Sequence, residues 1–155
     1  MIGRYSRPKM RGIWTEQRKL EIWLQIELLA TESLVDQGIV PAKDYRRMKS
    51  KAAFSIDRCR ELEKTLNHDV IAFTTNVGEN IGAPSSRWLH FGLTSSDIID
   101  TAFAVQMTES VDILLDDLLQ LRKVIAKKAL KYQFTPMIGR SHGIHAEPTT
   151  FGQKM

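Results

Sequence analysis

At 155 residues, with 43% hydrophobic and 26% charged side chains, the chain has enough apolar material for a core, which excludes a disordered segment. Its formal net charge of +4 comes from basic residues spread along the chain, with only short clusters such as Arg46-Arg47 and Lys127-Lys128. That balance suits an anionic small molecule and does not point to nucleic acid. The single cysteine, Cys59, cannot close an internal disulfide, and no apolar run approaches the ~18 residues of a membrane span, so the expected setting is the cytoplasm, away from membranes.

Residues 1–14 contain Gly3, Pro8 and Gly12, lack periodicity, and read as an extended arm. Thr15 caps a predicted helix over 16–37, in which Leu20, Trp23, Leu24 and Leu28 share a face and Gly38 supplies the stop. Pro41 opens a short helix to about Lys51. Ser55 caps a third, which carries Ile56, Leu62 and Leu66. The stretch NHDV at 67–70 interrupts or restarts it, and Val70, Phe73, Val77 and Ile81 make the next helical face before a loop over 82–86.

From Ser96 to about Gln133 there is no proline and no glycine. Ala104, Met107, Val111, Leu114, Leu118, Leu121 and Ile125 follow at spacings of 3, 4, 3, 4, 3 and 4, an a/d seam. At about 1.5 Å per residue this helix is roughly 55 Å long. So narrow a stripe on so long a helix predicts a bundle shared between subunits. A helix buried within one small bundle is the alternative. Pro148 reads as the first residue of a new helix that TTFGQKM begins, and the expectation is that the chain is the front part of a longer protein.

Four histidines fall in polar junctions: His68 in NHDV, His90 in HFGLTSSD, and His142 and His145 in GRSHGIHAEPTTFG. Thr94, Ser95, Ser96 and Asp97 open the long helix. They can serve as a helix cap, or the free N–H groups and hydroxyls there can hold a carboxylate or phosphate; the two uses are compatible. Arg4, Tyr5 and Arg7 can form a solvated tail or meet a phosphate. His142 and His145 have too few companions for a zinc site, so no metal is expected. A general acid/base imidazole fits better, with Gly139 and Gly143 allowing close approach.

In this order and spacing, RYSRPKM followed by Trp14, then HDV, WLHFGLTSSDIIDTA and GRSHGIHAEPTTFG, resemble the adenylosuccinate lyase family of the fumarase/aspartase superfamily. The resemblance covers essentially the whole chain, and its last two motifs are the most specific. It implies an all-α fold, with a small helical domain over 1–92 leading into the first part of a central helical bundle over 93–155. It also implies a homotetramer and a reaction without cofactor: β-elimination of fumarate from adenylosuccinate to give AMP, and from a succinylated aminoimidazole carboxamide ribotide. By position, His142 matches the general acid. Thr94 and Ser95 match contacts to the succinyl part, and Arg4 and Tyr5 match nucleotide contacts. Asn67, His68 and Asp69 match a further substrate-contacting segment, in which His68 orients or stabilises charge. His90 and His145 are expected to support these residues from behind. The family's general base is a serine on a glycine- and serine-rich loop that nothing here matches, so the chain alone is expected to be inert.

Overall fold

The computed structural model describes residues 2–155. The chain divides into two compact units, the first ending at Ser110 and the second running from Val111 to Met155.

The first unit begins differently from the expected extended arm. Gly3–Tyr5 forms a 3-10 turn and Pro8–Ile13 a short helix, α1. Pro8 stands at the start of α1, where its fixed φ is favourable and its missing N–H costs nothing. Arg11 Nη1 donates to the Gly3 carbonyl at 3.1 Å, tying the two pieces together. A helix of six residues is too short to show a hydrophobic period, which is why the pattern did not reveal it.

The next four helices start and stop where the sequence places them. They are α2 (Glu16–Asp36), α3 (Ala42–Lys51), α4 (Ile56–Leu66) and α5 (Asp69–Ile81). Thr15 Oγ1 accepts from the Arg18 N–H at 3.1 Å, and Ser55 Oγ accepts from the Arg58 N–H at 3.4 Å. These caps satisfy donors that have no partner inside the helix. Their apolar faces meet in one core, where Val70, Phe73, Val77 and Ile81 are all fully buried. Phe73 packs against Trp23 and Phe54, with ring centroids 5.5 and 5.8 Å apart.

The long helix, α6 (Ser95–Lys131), matches its expected span. Within the first unit it buries Ile98, Ala102, Gln106 and Ser110, a stripe at four-residue spacing. Gln106 Nε2 donates to the Ile13 carbonyl at 2.7 Å, and Trp14 Nε1 to Ser110 Oγ at 3.1 Å. The heptad seam is a different stripe. Met107, Val111, Leu114, Leu118 and Leu121 are all exposed.

In the second unit α6 ends, and an antiparallel hairpin follows, β1 (Pro136–Ser141) and β2 (Ile144–Thr150). The strands are a finding the sequence pattern did not suggest. Pro148 lies inside β2 opposite Ile138, and the last helix, α7 (Phe151–Lys154), starts three residues later than expected, capped by Thr150. Proline's φ suits an extended strand as well as a first helical turn, and here the hairpin pairing decides. Gly152 is required where it stands, because a Cβ there would lie against the Ala129 carbonyl and 2.6 Å from the Gln133 Cα. The fold is therefore all-α with one small hairpin.

Candidate active site

In the first unit the starts of two helices meet. Asn67, in a left-handed conformation at φ 52, reverses the chain after α4 and lets His68 cap α5. His68 Nδ1 accepts from the Ile71 N–H at 3.4 Å. A ring nitrogen that accepts carries no proton, so Nε2 holds it and points it at Ser95 Oγ, 3.4 Å away. Asp69 Oδ1 takes the Val70 N–H at 2.8 Å and lies 3.7 Å from His68 Nδ1.

At the start of α6, the Thr94 N–H and hydroxyl both donate to Asp97 Oδ2, at 2.7 and 2.9 Å. These two bonds, both running from Thr94 to Asp97, hold the Asp97 carboxyl below its ordinary range, first through the Thr94 N–H, then its hydroxyl. The hydroxyl of Thr94 is thus committed to Asp97. That of Ser95 accepts from His68 and keeps its own proton to donate. With two helix N-termini beside it, the Ser95 hydroxyl has the chemistry to meet an anion.

The segment leading into this cluster is fixed from behind. Asp44, buried on α3, accepts from Ser85 Oγ at 2.9 Å and Trp88 Nε1 at 3.1 Å, and both bonds push its carboxyl pKa down. His90 stands at φ 61. Its N–H donates to Glu27 Oε2 at 2.8 Å, and its Nδ1 lies 2.6 Å from Glu27 Oε1. Glu27 is fully buried. The sequence signal for Glu27 is its spacing: it sits four residues after Trp23 and four before Thr31, on the buried stripe of α2.

Of the other expected site residues, two stand on the N-terminal 3-10 turn and two in the second unit. Arg4 stacks over the Tyr5 ring at 4.8 Å, and Tyr5 is exposed. Among the described residues, neither makes a hydrogen bond to the cluster. His142 and His145 belong to the second unit. His142 and Gly143, at φ 51 and 79, form the two-residue turn of the hairpin, with Ser141 paired to Ile144. Positive φ at both central residues gives the tight turn that matches strand twist. The stretch is therefore a defined turn that holds an exposed imidazole at its tip. His145 faces Arg140 across the strands. At Gly139 the pairing slips by a bulge, and a Cβ would come 2.8 Å from the Glu147 carbonyl. Among the described residues, no three His, Cys, Asp or Glu side chains are grouped to hold a metal ion.

The family model described as lyase matches residues 3–155. Adenylosuccinate lyase of Bacillus subtilis (strain 168) is 46% identical over all 155 residues, which span 36% of that protein. Adenylosuccinate lyase of Streptococcus mutans serotype c (strain ATCC 700610 / UA159) is also 46% identical, over the same share. A crystal structure of fumarate lyase from Mesorhizobium sp. BNC1 superposes with a TM-score of 0.88 at 26% identity, covering 94% of this chain and 35% of that one. The chain thus spans about a third of the length of the relatives it matches, and along nearly all of its own length it belongs to the lyase family of the fumarase/aspartase superfamily.

Proposed function

We propose that this chain supplies part of the active site of a carbon–nitrogen lyase that eliminates fumarate from adenylosuccinate to give AMP, and likewise from the succinylated aminoimidazole carboxamide ribotide. The observation that carries this reading is the meeting of two helix starts at His68 and Ser95, where the Ser95 hydroxyl keeps a proton to donate to a carboxylate, next to Thr94 and its partner Asp97. The 46% identity to two adenylosuccinate lyases supports the choice of substrate.

In this reaction a base takes the proton on the carbon next to a carboxylate. The electron pair forms the new C=C bond, the C–N bond breaks, and its pair goes to the purine nitrogen. Ser95 and the helix N-termini stabilise charge building on the carboxylate, joined by Thr94 once its donors turn from Asp97 to the substrate. His68 orients Ser95 through its Nε2–H. Asn67 and Asp69 shape the turn that presents His68. His142, exposed at its hairpin tip, delivers a proton to the leaving nitrogen. Arg4 and Tyr5 bind the nucleotide phosphate. The exposed seam of α6 packs against copies of itself in a homotetramer, which brings these segments together in the cytoplasm. The base comes from outside this chain.

The test is a chimera in which this chain replaces the matching 155 residues of the Bacillus subtilis relative. It is expected to turn over adenylosuccinate and not argininosuccinate. His142→Asn should lower turnover by at least about 10²-fold while substrate still binds, because general acid catalysis is typically worth 10²–10⁴-fold. A chimera that assembles but acts on neither substrate would leave this chain as a helical interaction module. Activity only on argininosuccinate would move it to another branch of the superfamily.

A further inference from the structure

Glu27 occupies a position that physical chemistry disfavours. It is fully buried on α2, where its inward neighbours are Leu20, Ile22, Trp23 and Thr31. A carboxylate there has lost its water, and a leucine would pack at no such cost. Both of its oxygens are engaged by one residue: Oε2 by the His90 main chain at 2.8 Å and Oε1 by the His90 ring at 2.6 Å. An ionised carboxylate can only accept, so Nδ1 carries the ring proton. The same pair of bonds holds His90 at φ 61, a conformation that costs free energy for any residue with a Cβ. Glu27 therefore fixes a turn, a ring and a tautomer just four residues before Thr94. Asp44 gives the segment a second anchor through Ser85 and Trp88, but does not touch His90.

Resting on the lyase reading above, we propose that Glu27 is a positioning residue for the substrate-binding segment: acting through His90, it sets the strained turn that presents Thr94 and Ser95, and it holds the His90 ring in the Nδ1–H tautomer. Its buried charge is retained for that placement at the expense of stability. Glu27 itself touches no substrate.

Glu27→Gln separates placement from packing. It keeps the size but offers one acceptor and one donor. With its oxygen on the His90 N–H, its NH2 group faces Nδ1 and drives the ring proton to Nε2. Long-range proton–nitrogen NMR of this chain reads the tautomer, and the Thr94 and Ser95 amide shifts read the segment. The wild type is expected to show Nδ1–H. E27Q should show Nε2–H, with the Thr94 and Ser95 signals moved and those of α4 unchanged. In the chimera, E27Q should lower kcat/KM by at least about 10-fold, with KM raised, as misplaced binding groups do. Glu27→Asp, which keeps both acceptors, should retain the Nδ1–H tautomer and recover part of the loss. It carries the test if E27Q does not fold. An Nε2–H tautomer in the wild type, unmoved Thr94 and Ser95 signals in E27Q, or kcat/KM within about twofold of wild type would each overturn the inference. Failure of the lyase reading shows separately, as an unsubstituted chimera without turnover, while the NMR outcome still decides whether Glu27 sets the segment.

Discussion

The two units treat their apolar residues in opposite ways. In the first, the inward residues of five helices close on one another, and the polar groups among them are paired: Asp44 with Ser85 and Trp88, Asn76 with the Ser55 N–H, Glu27 with His90. In the second, α6 carries Leu114, Leu115, Leu118, Leu119, Leu121 and Val124 exposed. That is more apolar surface than a monomeric helix ordinarily leaves in water. The contrast sets a unit that closes on itself against a helix that leaves its apolar seam in water. The first unit supplies its own core, whereas the seam gains only when other helices cover it.

The sharpest way to break that contrast is to remove one large side chain from each unit. Phe73→Ala, at the centre of the aromatic cluster, should cost about 3–5 kcal/mol of unfolding free energy. Leu118→Ala, at a position 58% exposed, should stay within ~0.5 kcal/mol in the dissociated chain. Urea titrations at low protein concentration compare the two. Equal costs would mean that the seam is already packed within one chain.

Association should respond in the reverse order. Leu118→Asp places a carboxylate where a partner helix would bury it, so self-association should weaken by on the order of 100-fold, matching about 3 kcal/mol of lost burial and added desolvation. Sedimentation velocity against concentration reads this directly. A wild-type chain that stays monomeric at every concentration would refute the proposed role of the seam.

A smaller effect sharpens the picture inside the second unit. Gly152→Ala puts a methyl group into the backbone of the last turns of α6, for a cost of about 1–3 kcal/mol. The amides of Phe151 and Gly152, which donate to the Thr135 and Tyr132 carbonyls at 2.9 Å, should then exchange faster. Amides of α5 should not change. Loss of protection in α5 as well would show that the two units unfold together.

The same contrast explains what the sequence made legible. Helices α2 to α6 could be read because capping residues and apolar periods are local: Thr15, Ser55 and the face Val70–Phe73–Val77–Ile81 need no knowledge of partners. The hairpin was missed because its pairing is set by a turn whose positive φ falls on His142, a residue that does not advertise a turn as asparagine would. Of the candidate site, Thr94, Ser95 and His68 stand out as residue types beside helix starts, but the contact of His68 with Ser95 does not, since the two lie 27 apart in sequence. Glu27 was hidden for the same reason. Its partner lies 63 positions away, and a lone charge on a helix usually faces water.

The least costly perturbation concerns the cap of α6. Asp97 has a lowered pKa because it accepts from the Thr94 N–H and hydroxyl. A carboxyl lowered in the folded state contributes stability at every pH above its unfolded value and loses that contribution as pH falls through the folded value. The loss should therefore appear below about pH 4 and not near neutrality. Because the group is exposed, the shift in melting temperature should be small. Asp97→Asn keeps an oxygen for the Thr94 N–H and removes only the charge, so its melting temperature at neutral pH should lie slightly below wild type, and the two curves should converge in acid. Glu79, lowered mainly by its hydrogen bond to Arg58, loses stability over a similar range in both proteins and cancels in the difference. Melting curves that stay parallel down to pH 2 would show that the Asp97 charge does not stabilise the start of α6.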